Sequence, residues 1–278
     1  MAYFETSDKC KLYYEINGEG EPVVLIHGWD CNSNFYRYQT PVFSQNYQVI
    51  TYDLRGHGLS DRSPEATEMG MSLDTFAKDL HELIEFLGLK DVNLVGWSMG
   101  TSITLNYIDL FGNENLKSIC LIDMTPKLLA DDEWQLGQSK VFNAVDNLEF
   151  MEVIATNWPA ACDIFIPLIF AEGFDQNSDL YKWAMEQALQ NTPHCVLNMW
   201  IAMAIKDYRE VLPKIDVPTF LAYSGNGLLY YPEHGEYMKE HIKGAILDIF
   251  PGCGHGLMFE DPEKFNKDYL EFLEGVYK

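Results

Sequence analysis

The feature that most constrains this chain is a serine between two glycines, at a point where an apolar strand is predicted to turn into a helix. The motif Gly-x-Ser-x-Gly covers residues 96–100, the apolar run 92–95 precedes it, and the helix-like segment 101–110 follows it. A sharp strand-to-helix turn leaves no room for side chains at the two glycines and holds the serine hydroxyl exposed in a strained conformation. Ser98 is therefore the candidate nucleophile.

Strand-like and helix-like segments alternate on both sides of this motif. Two alternating segments come first and are predicted to be antiparallel edge strands, and continuously apolar segments follow. The predicted strands cover residues 3–6, 11–16, 22–26, 48–52, 92–95, 118–122, 218–223 and 245–250. The clearest helix covers 73–87, with Ser72 as N-cap and Gly88 as its end. We predict an α/β fold with a mostly parallel, eight-stranded sheet flanked by helices.

The alternation stops between residues 126 and 216. This segment shows helical patterns without a convincing strand, and it is rich in tryptophan and methionine. We therefore predict a core formed by residues 1–125 and 217–278, interrupted after the sixth strand by a helical insertion, residues 126–216. Its tryptophans and methionines are first of all packing residues, and some of them are expected to line an apolar pocket.

A serine hydroxyl is a poor nucleophile near neutral pH, so it needs a base within hydrogen-bond reach and a third group that orients the base. His255 is the candidate base, because it lies in a glycine-flanked loop after the last strand and follows the serine in the chain. Strand ends of a parallel sheet gather on one side, so the loops at His27, Ser98, Asp123 and His255 can meet. His27 is interpreted as structural. The remaining histidines are interpreted as turn or helix-surface residues; they are His57, His81, His194, His234 and His241.

Composition narrows the classes of partner. The net charge of −23 argues against nucleic acid and anionic membrane surfaces and favours neutral or cationic substrates. The chain lacks an apolar run near the ~18 residues that span a bilayer, and its start does not resemble a signal peptide. We expect a cytoplasmic protein that acts on a small molecule, with no membrane partner. No grouping of histidine, cysteine and aspartate has ligand spacing, so neither a metal nor another cofactor is expected. Assembly into a homo-oligomer stays open.

Four segments in this order resemble the α/β-hydrolase superfamily, in particular the small bacterial carboxylesterases and cofactor-free haloperoxidases. They cover residues 27–29, 53–61, 96–100 and 254–262. The resemblance implies the α/β-hydrolase fold, with the insertion as a helical cap that covers the site and shapes an acyl pocket. It implies a serine hydrolase of a small to medium, largely apolar carboxylic ester. The same machinery serves a lactone, a thioester or a C–C bond, and a non-catalytic ligand-binding protein is the competing class.

In this fold, backbone N–H groups stabilise the oxyanion that forms when the serine attacks a carbonyl. One donor is the residue after the nucleophile, Met99, and the other lies in the loop after the third strand, at Trp29. Asp30 and Trp97 are predicted to contact the substrate. Because Asp30 neighbours Trp29, we expect its charge to disfavour acidic substrates.

One segment departs from the family pattern. In the family the catalytic acid usually follows the strand that matches residues 218–223, but Gly227 stands there in this chain. A subset of the superfamily places the acid one strand earlier, where this chain has Asp123. We predict Asp123 as the acid that accepts the ring N–H of His255. The alternatives are Asn226 as a neutral orienting group, or no third member.

Overall fold

Eight strands form one sheet in the computed structural model, which describes residues 2–67 and 71–278. The strands are β1 (Ala2–Glu5), β2 (Lys11–Asn17), β3 (Pro22–Ile26), β4 (Gln48–Tyr52), β5 (Val92–Trp97), β6 (Leu116–Ile122), β7 (Thr219–Ser224) and β8 (Ile246–Phe250). Their order in the sheet is β1-β2-β4-β3-β5-β6-β7-β8. The first two pairings are antiparallel and the others are parallel, which confirms the predicted mostly parallel, eight-stranded sheet.

Helices connect most of these strands. They are α1 (Thr40–Phe43), α2 (Pro64–Thr67), α3 (Leu73–Phe86), α4 (Met99–Phe111), α5 (Ala144–Thr156), α6 (Trp158–Phe165), α7 (Asp179–Leu189), α8 (Pro193–Ala204), α9 (Pro232–His241), α10 (Leu257–Glu260) and α11 (Pro262–Val276). Short 3₁₀ turns cover Ser33–Tyr36, Gln138–Lys140, Ile166–Ile169 and Leu212–Lys214. Among the described residues, none of these helices has the length and apolarity needed to cross a membrane.

Local sequence explains where the best-defined helices begin and which face they bury. The Ser72 hydroxyl accepts a hydrogen bond from the Thr75 N–H (3.1 Å), which satisfies one of the free donors at the start of α3. The helix then buries Phe76, Leu80 and Leu83, at helical spacing, on the side that packs against α4. Burial of each such side chain contributes about 1.5–3 kcal/mol. The last helix, α11, begins in the same way, because the Asp261 carboxylate accepts a hydrogen bond from the Lys264 N–H (3.1 Å).

The helices α5 to α8 all lie between β6 and β7, where the helical insertion is predicted. The described residues between these two strands include no further β-strand. Their β-pairing is limited to two isolated bridges, which join Lys127 to Asp207 and Asp131 to Trp134. The insertion packs against the loop after β3, where the Trp29 ring lies 4.8 Å from Phe165 and 4.8 Å from Trp200. Its action as a cap over the site stays a prediction.

Candidate active site

Ser98 lies at the turn between β5 and α4, in a conformation that few side chains adopt. Its φ and ψ are 56° and −121°, and the residue is 7% exposed. Its backbone N–H donates to Ile122 O (3.0 Å), which fixes the turn to the end of β6. Both flanking positions require glycine, because neighbouring backbone comes too close for a side chain. A Cβ on Gly96 would collide with the Gly100 carbonyl, and a Cβ on Gly100 would collide with the carbonyl of Ile26. The structure therefore confirms the predicted strand-turn-helix context of the motif.

Gly100→Ala is expected to lower the free energy of unfolding by about 3 kcal/mol or more, because the new methyl group meets a backbone carbonyl that β3 holds in place. Urea unfolding measures this change. Gly275→Ala is the matched control: its Cβ meets no atom within 4 Å of the described structure, and its stability is expected to change by less than about 1 kcal/mol. Similar destabilisation of both variants would contradict the close-approach argument.

Asp123 and His255 form a buried hydrogen-bonded pair. The Asp123 Oδ2 accepts from His255 Nδ1 (2.7 Å), and its Oδ1 accepts from the Ser224 N–H (2.8 Å). The two residues are 0% and 1% exposed. In this hydrogen bond Nδ1 carries the proton. Nε2 is therefore the ring nitrogen that can accept a proton from another group. The arrangement can hold an imidazole as a base and stabilise the imidazolium that forms when it takes up a proton.

Asp123 follows β6 directly, with a positive φ of 47°. Aspartate tolerates this left-handed conformation better than most residues. Two tyrosines nearby, Tyr223 and Tyr230, have phenol pKa values well above the ordinary value, first because they are buried and second because of the Asp123 charge. Both phenols are therefore neutral, and the Tyr230 ring lies 5.3 Å from that of His255.

Two side chains hold the loop that carries His255. The Trp97 indole N–H donates to His255 O (2.8 Å), so the residue before the serine binds the loop of the histidine. The Glu260 carboxylate accepts from the Gly254 N–H (2.9 Å) and, through its other oxygen, from the Ala171 N–H (3.0 Å) of the insertion. The Trp97 side chain is buried and its donor is used within the protein. A contact between Trp97 and substrate stays a prediction.

Glu260→Gln is expected to flatten the pH dependence of stability. Burial raises the pKa of Glu260 to about 7, whereas an unfolded glutamate titrates near about 4.3. Between these values the folded state keeps a proton that the unfolded state has lost, so the free energy of unfolding falls as pH rises, by roughly 4 kcal/mol in total. Urea unfolding between pH 5 and 8 measures this slope for the wild type, for Glu260→Gln, and for the exposed control Glu263→Gln. If the free energy of unfolding changed with pH in the same way for all three proteins, a raised pKa of Glu260 would be contradicted.

Trp29 and Met99, the two predicted oxyanion donors, lie in segments that adjoin the serine turn. Met99 is the first residue of α4, and Trp29 follows Gly28, whose Cβ position is 3.0 Å from Ser98 Cβ. The Trp29 indole N–H donates to Val196 O (2.7 Å), which fixes the loop after β3 to the insertion. Within residues 2–67 and 71–278, neither backbone N–H donates a hydrogen bond to a backbone acceptor. The oxyanion role of both groups stays a prediction.

Asp30 is 1% exposed and has a positive φ of 61°. The Asn191 amide donates to its Oδ1 (2.8 Å) and to its backbone oxygen (3.0 Å), while Oδ2 is buried without a partner in the described part of the chain. Burial raises the pKa of the carboxyl well above its ordinary value, which favours the neutral form. A neutral carboxyl does not repel an anion, so the charge argument made from the sequence loses its physical basis. A contact between Asp30 and substrate stays a prediction.

The turn after β7 has no room for the acid that the family usually carries there. A Cβ on Gly227 would collide with the Ser224 hydroxyl and lie 2.8 Å from Tyr230 O. The Asn226 amide donates to Glu172 O (3.3 Å), so it is directed to the insertion and not to His255. Of the groups weighed for orienting His255, Asp123 is the one in hydrogen-bond contact with its ring.

The helix-surface interpretation of His234 is wrong, because His234 lies on α9 and is 1% exposed. His57 lies in the turn after β4, as predicted, and is fully buried there. His234 accepts from the Tyr231 N–H (3.0 Å) through Nδ1, and its Nε2 lies 3.1 Å from Gly137 O in the insertion. Its position on the same face of α9 as the buried Met238, four residues later, is the sequence signal that indicates burial. Among the described residues, no group of three His, Cys, Asp or Glu side chains is arranged to hold a metal ion.

Known proteins similar to this chain agree with the fold. The chain is 31% identical to a non-heme chloroperoxidase of Kitasatospora aureofaciens over 98% of this chain and 99% of that protein. Two solved structures, each 29% identical and matched over 98% of this chain, are an esterase from Exiguobacterium antarcticum (TM-score 0.89, 98% of that chain) and a bromoperoxidase from Bacillus anthracis (TM-score 0.90, 100% of that chain).

The predicted resemblance to bacterial esterases and cofactor-free haloperoxidases is thereby confirmed. The family model described as alpha/beta hydrolase fold matches residues 21–262, which includes the serine turn, Asp123 and His255. The chain therefore belongs to the alpha/beta hydrolase fold family.

Proposed function

We propose that this hydrolase cleaves small to medium, largely apolar carboxylic esters through an acyl-enzyme on Ser98. The observation that carries the proposal is the buried 2.7 Å hydrogen bond between Asp123 and His255. His255 is bound through its backbone oxygen by Trp97, the residue that precedes Ser98 on its strained turn. This combination supplies a nucleophile, a base and an orienting carboxylate. A ligand-binding protein without catalysis has no need of a buried imidazole held in one tautomer.

In the first half of the reaction, Ser98 Oγ attacks the ester carbonyl and His255 Nε2 takes up the hydroxyl proton. The carbonyl oxygen becomes an oxyanion, to which the N–H groups of Trp29 and Met99 donate hydrogen bonds. One such donor in a comparable hydrolase changes kcat by about 10²- to 10³-fold. The carbonyl then re-forms, the C–O bond to the alcohol breaks, and His255 returns its proton to the departing oxygen.

In the second half, His255 removes a proton from a water molecule that attacks the acyl-enzyme. The same N–H groups stabilise the second oxyanion, the bond to Ser98 Oγ breaks, and the serine regains its proton from His255. Throughout, the Asp123 carboxylate accepts from His255 Nδ1 and stabilises the imidazolium. The insertion acts in this proposal as a cap, since its aromatic side chains pack against Trp29 and the serine is nearly covered.

Intact-mass measurement after reaction with a fluorophosphonate tests the proposed function. We expect one addition per chain, on the peptide that contains Ser98, and none on Ser98→Ala. Prior incubation with a hydrolysable ester is expected to slow the labelling, because both compounds use the same site. Labelling at another residue, or none under conditions in which a known serine esterase reacts fully, would refute the proposal.

A further inference from the structure

A polar cavity of about 190 Å³ lies outside the candidate active site, between the loop after β3, the turn after β4 and the C-terminal end of α7. Neither Ser98 nor His255 is part of its lining. A water molecule takes up ~30 Å³, so the cavity has room for about six waters, or for a small molecule of about three to five carbon atoms. Twelve residues line it, and five of them carry a side-chain amide: Asn32, Asn34, Gln187, Gln190 and Asn191.

The charged side chains of this cavity are held by hydrogen bonds within the protein. The Asp53 carboxylate, which is buried, accepts from the N–H groups of Ser33 (2.8 Å) and Leu59 (2.7 Å). The Arg62 guanidinium donates to one backbone oxygen of the turn and to one of the insertion, and the Glu15 carboxylate accepts from a tyrosine hydroxyl. With two carboxylates and one guanidinium, the lining has a net negative charge, which disfavours an anionic ligand.

The amide groups, in contrast, keep donors and acceptors that the protein does not use. Asn32 donates to the Gln187 side-chain oxygen (3.0 Å). Within the described part of the chain, four amide sites make no hydrogen bond: the Gln187 NH₂ group, the Asn191 side-chain oxygen, and the side-chain amides of Asn34 and Gln190. A hydroxyl group both donates and accepts, as a side-chain amide does. The open amides therefore match an uncharged molecule that carries several hydroxyl groups.

Two of these amides also join the insertion to the loop that carries Trp29. The buried Asn191 donates from Nδ2 to Asp30 O (3.0 Å) and to Asp30 Oδ1 (2.8 Å), and Asp30 follows Trp29 directly. The hydrogen bond between Asn32 and Gln187 is a second link between the same two segments. A ligand that contacts both the Gln187 NH₂ group and the Asn191 oxygen adds a third link between them.

We propose that this cavity is a second ligand site, which binds an uncharged polyhydroxyl molecule of about three to five carbons, a polyol or a small sugar. The hydroxyl groups of the ligand pair with the open amides, and the ligand fastens the end of α7 to the loop after β3. Because neither Ser98 nor His255 lines the cavity, its occupation does not depend on ester hydrolysis.

The first test is a ligand-observed NMR titration with xylitol. We expect saturable binding of one xylitol per chain, with a Kd below about 10 mM, since a ligand of ten heavy atoms can reach this affinity. Gln187→Leu replaces one amide of the cavity by an apolar side chain of similar size and is expected to weaken binding about tenfold or more. Gln45→Leu is the matched control, since Gln45 is exposed and lies outside the cavity, and its Kd is expected to equal that of the wild type.

The same titration with xylonate tests the class of ligand. Xylonate has the same number of carbons as xylitol but carries a carboxylate, so it is expected to bind about tenfold more weakly at low salt. Absence of saturable xylitol binding, or equal affinity of the two glutamine variants for xylitol, would overturn the proposed site. Xylonate binding as tight as that of xylitol would overturn the assignment of an uncharged ligand.

Hydrogen exchange measures whether the ligand joins the two segments. Xylitol at about ten times its Kd is expected to slow amide exchange in residues 30–34 and 187–191 by about tenfold in the wild type, because exchange there requires the cavity to open and release the ligand. Polyols also stabilise folded proteins in general, so residues 262–276 of α11 and the Gln187→Leu variant serve as references. Slowing of the same size in all segments and in both proteins would show an osmolyte effect and overturn the proposal. Neither measurement requires turnover, so both results stand whether or not the protein hydrolyses esters.

Discussion

Ser98→Ala is expected to lower kcat for a p-nitrophenyl ester by about six orders of magnitude, the effect of removing the nucleophile in a comparable serine hydrolase. Without Oγ no acyl-enzyme forms, and hydrolysis depends on direct attack by water. The remaining N–H groups and the bound base still give some acceleration over water. The fold is expected to persist, because alanine removes one oxygen from a turn that the neighbouring glycines and backbone hydrogen bonds define.

Ser102→Ala is the matched control for this measurement. Ser102 is buried on α4, four residues after Ser98, so the same hydroxyl oxygen is removed close to the serine turn. We expect its kcat to stay within about threefold of the wild type, because a buried hydroxyl away from the reacting atoms acts only through stability. Activity of Ser98→Ala near that of Ser102→Ala would place the nucleophile elsewhere.

Asp123→Asn is expected to lower kcat by about four orders of magnitude, with only a small change in KM. The carboxylate accepts two hydrogen bonds, one from His255 Nδ1 and one from the Ser224 N–H. An asparagine has only one oxygen for these two donors. If its oxygen faces Ser224, its NH₂ group faces Nδ1 and favours the tautomer that carries the proton on Nε2. That tautomer cannot accept the proton of Ser98.

Two further variants test whether Asp123, and not another residue, is the group that orients His255. Asn226→Ala is expected to keep near wild-type activity, because the Asn226 amide donates to Glu172 O and not to His255. Gly227→Asp is expected not to restore Asp123→Asn, since the turn after β7 has no space for a side chain. If Asn226→Ala lost as much activity as Asp123→Asn, the neutral amide would be the orienting group.

Much of the fold and the serine turn could be predicted because local sequence determines them. Apolar segments with helix-like stretches between them indicate the parallel sheet, and the two glycines indicate the tight turn at Ser98. Asp123 could be predicted for a different reason: the usual acid position is occupied by Gly227, and the end of the neighbouring strand is the one other place that the resemblance offers. The structure adds that a side chain at 227 would collide with Ser224.

The contacts that support the site could not be predicted, because they join distant parts of the chain. The Ser224 N–H reaches Asp123 only through the register in which β6 and β7 pair. The bond from Trp97 to His255 O spans 158 residues. Asp30 contacts Asn191, 161 residues away in the insertion. Its carboxyl, which the sequence suggests is charged, is buried in the folded chain, and this burial favours the neutral acid.

The most direct test of the central claim is to trap the acyl-enzyme itself. The protein is mixed with excess p-nitrophenyl acetate, quenched in acid within milliseconds to seconds, and measured by intact mass and peptide mapping. We predict a species one acetyl group heavier, with the acetyl on the Ser98 peptide, which appears together with a burst of p-nitrophenol and accumulates further in a variant with slowed deacylation. Turnover of the ester at a constant rate from the start of the reaction, without a burst and without any acylated Ser98 peptide, would contradict covalent catalysis by Ser98.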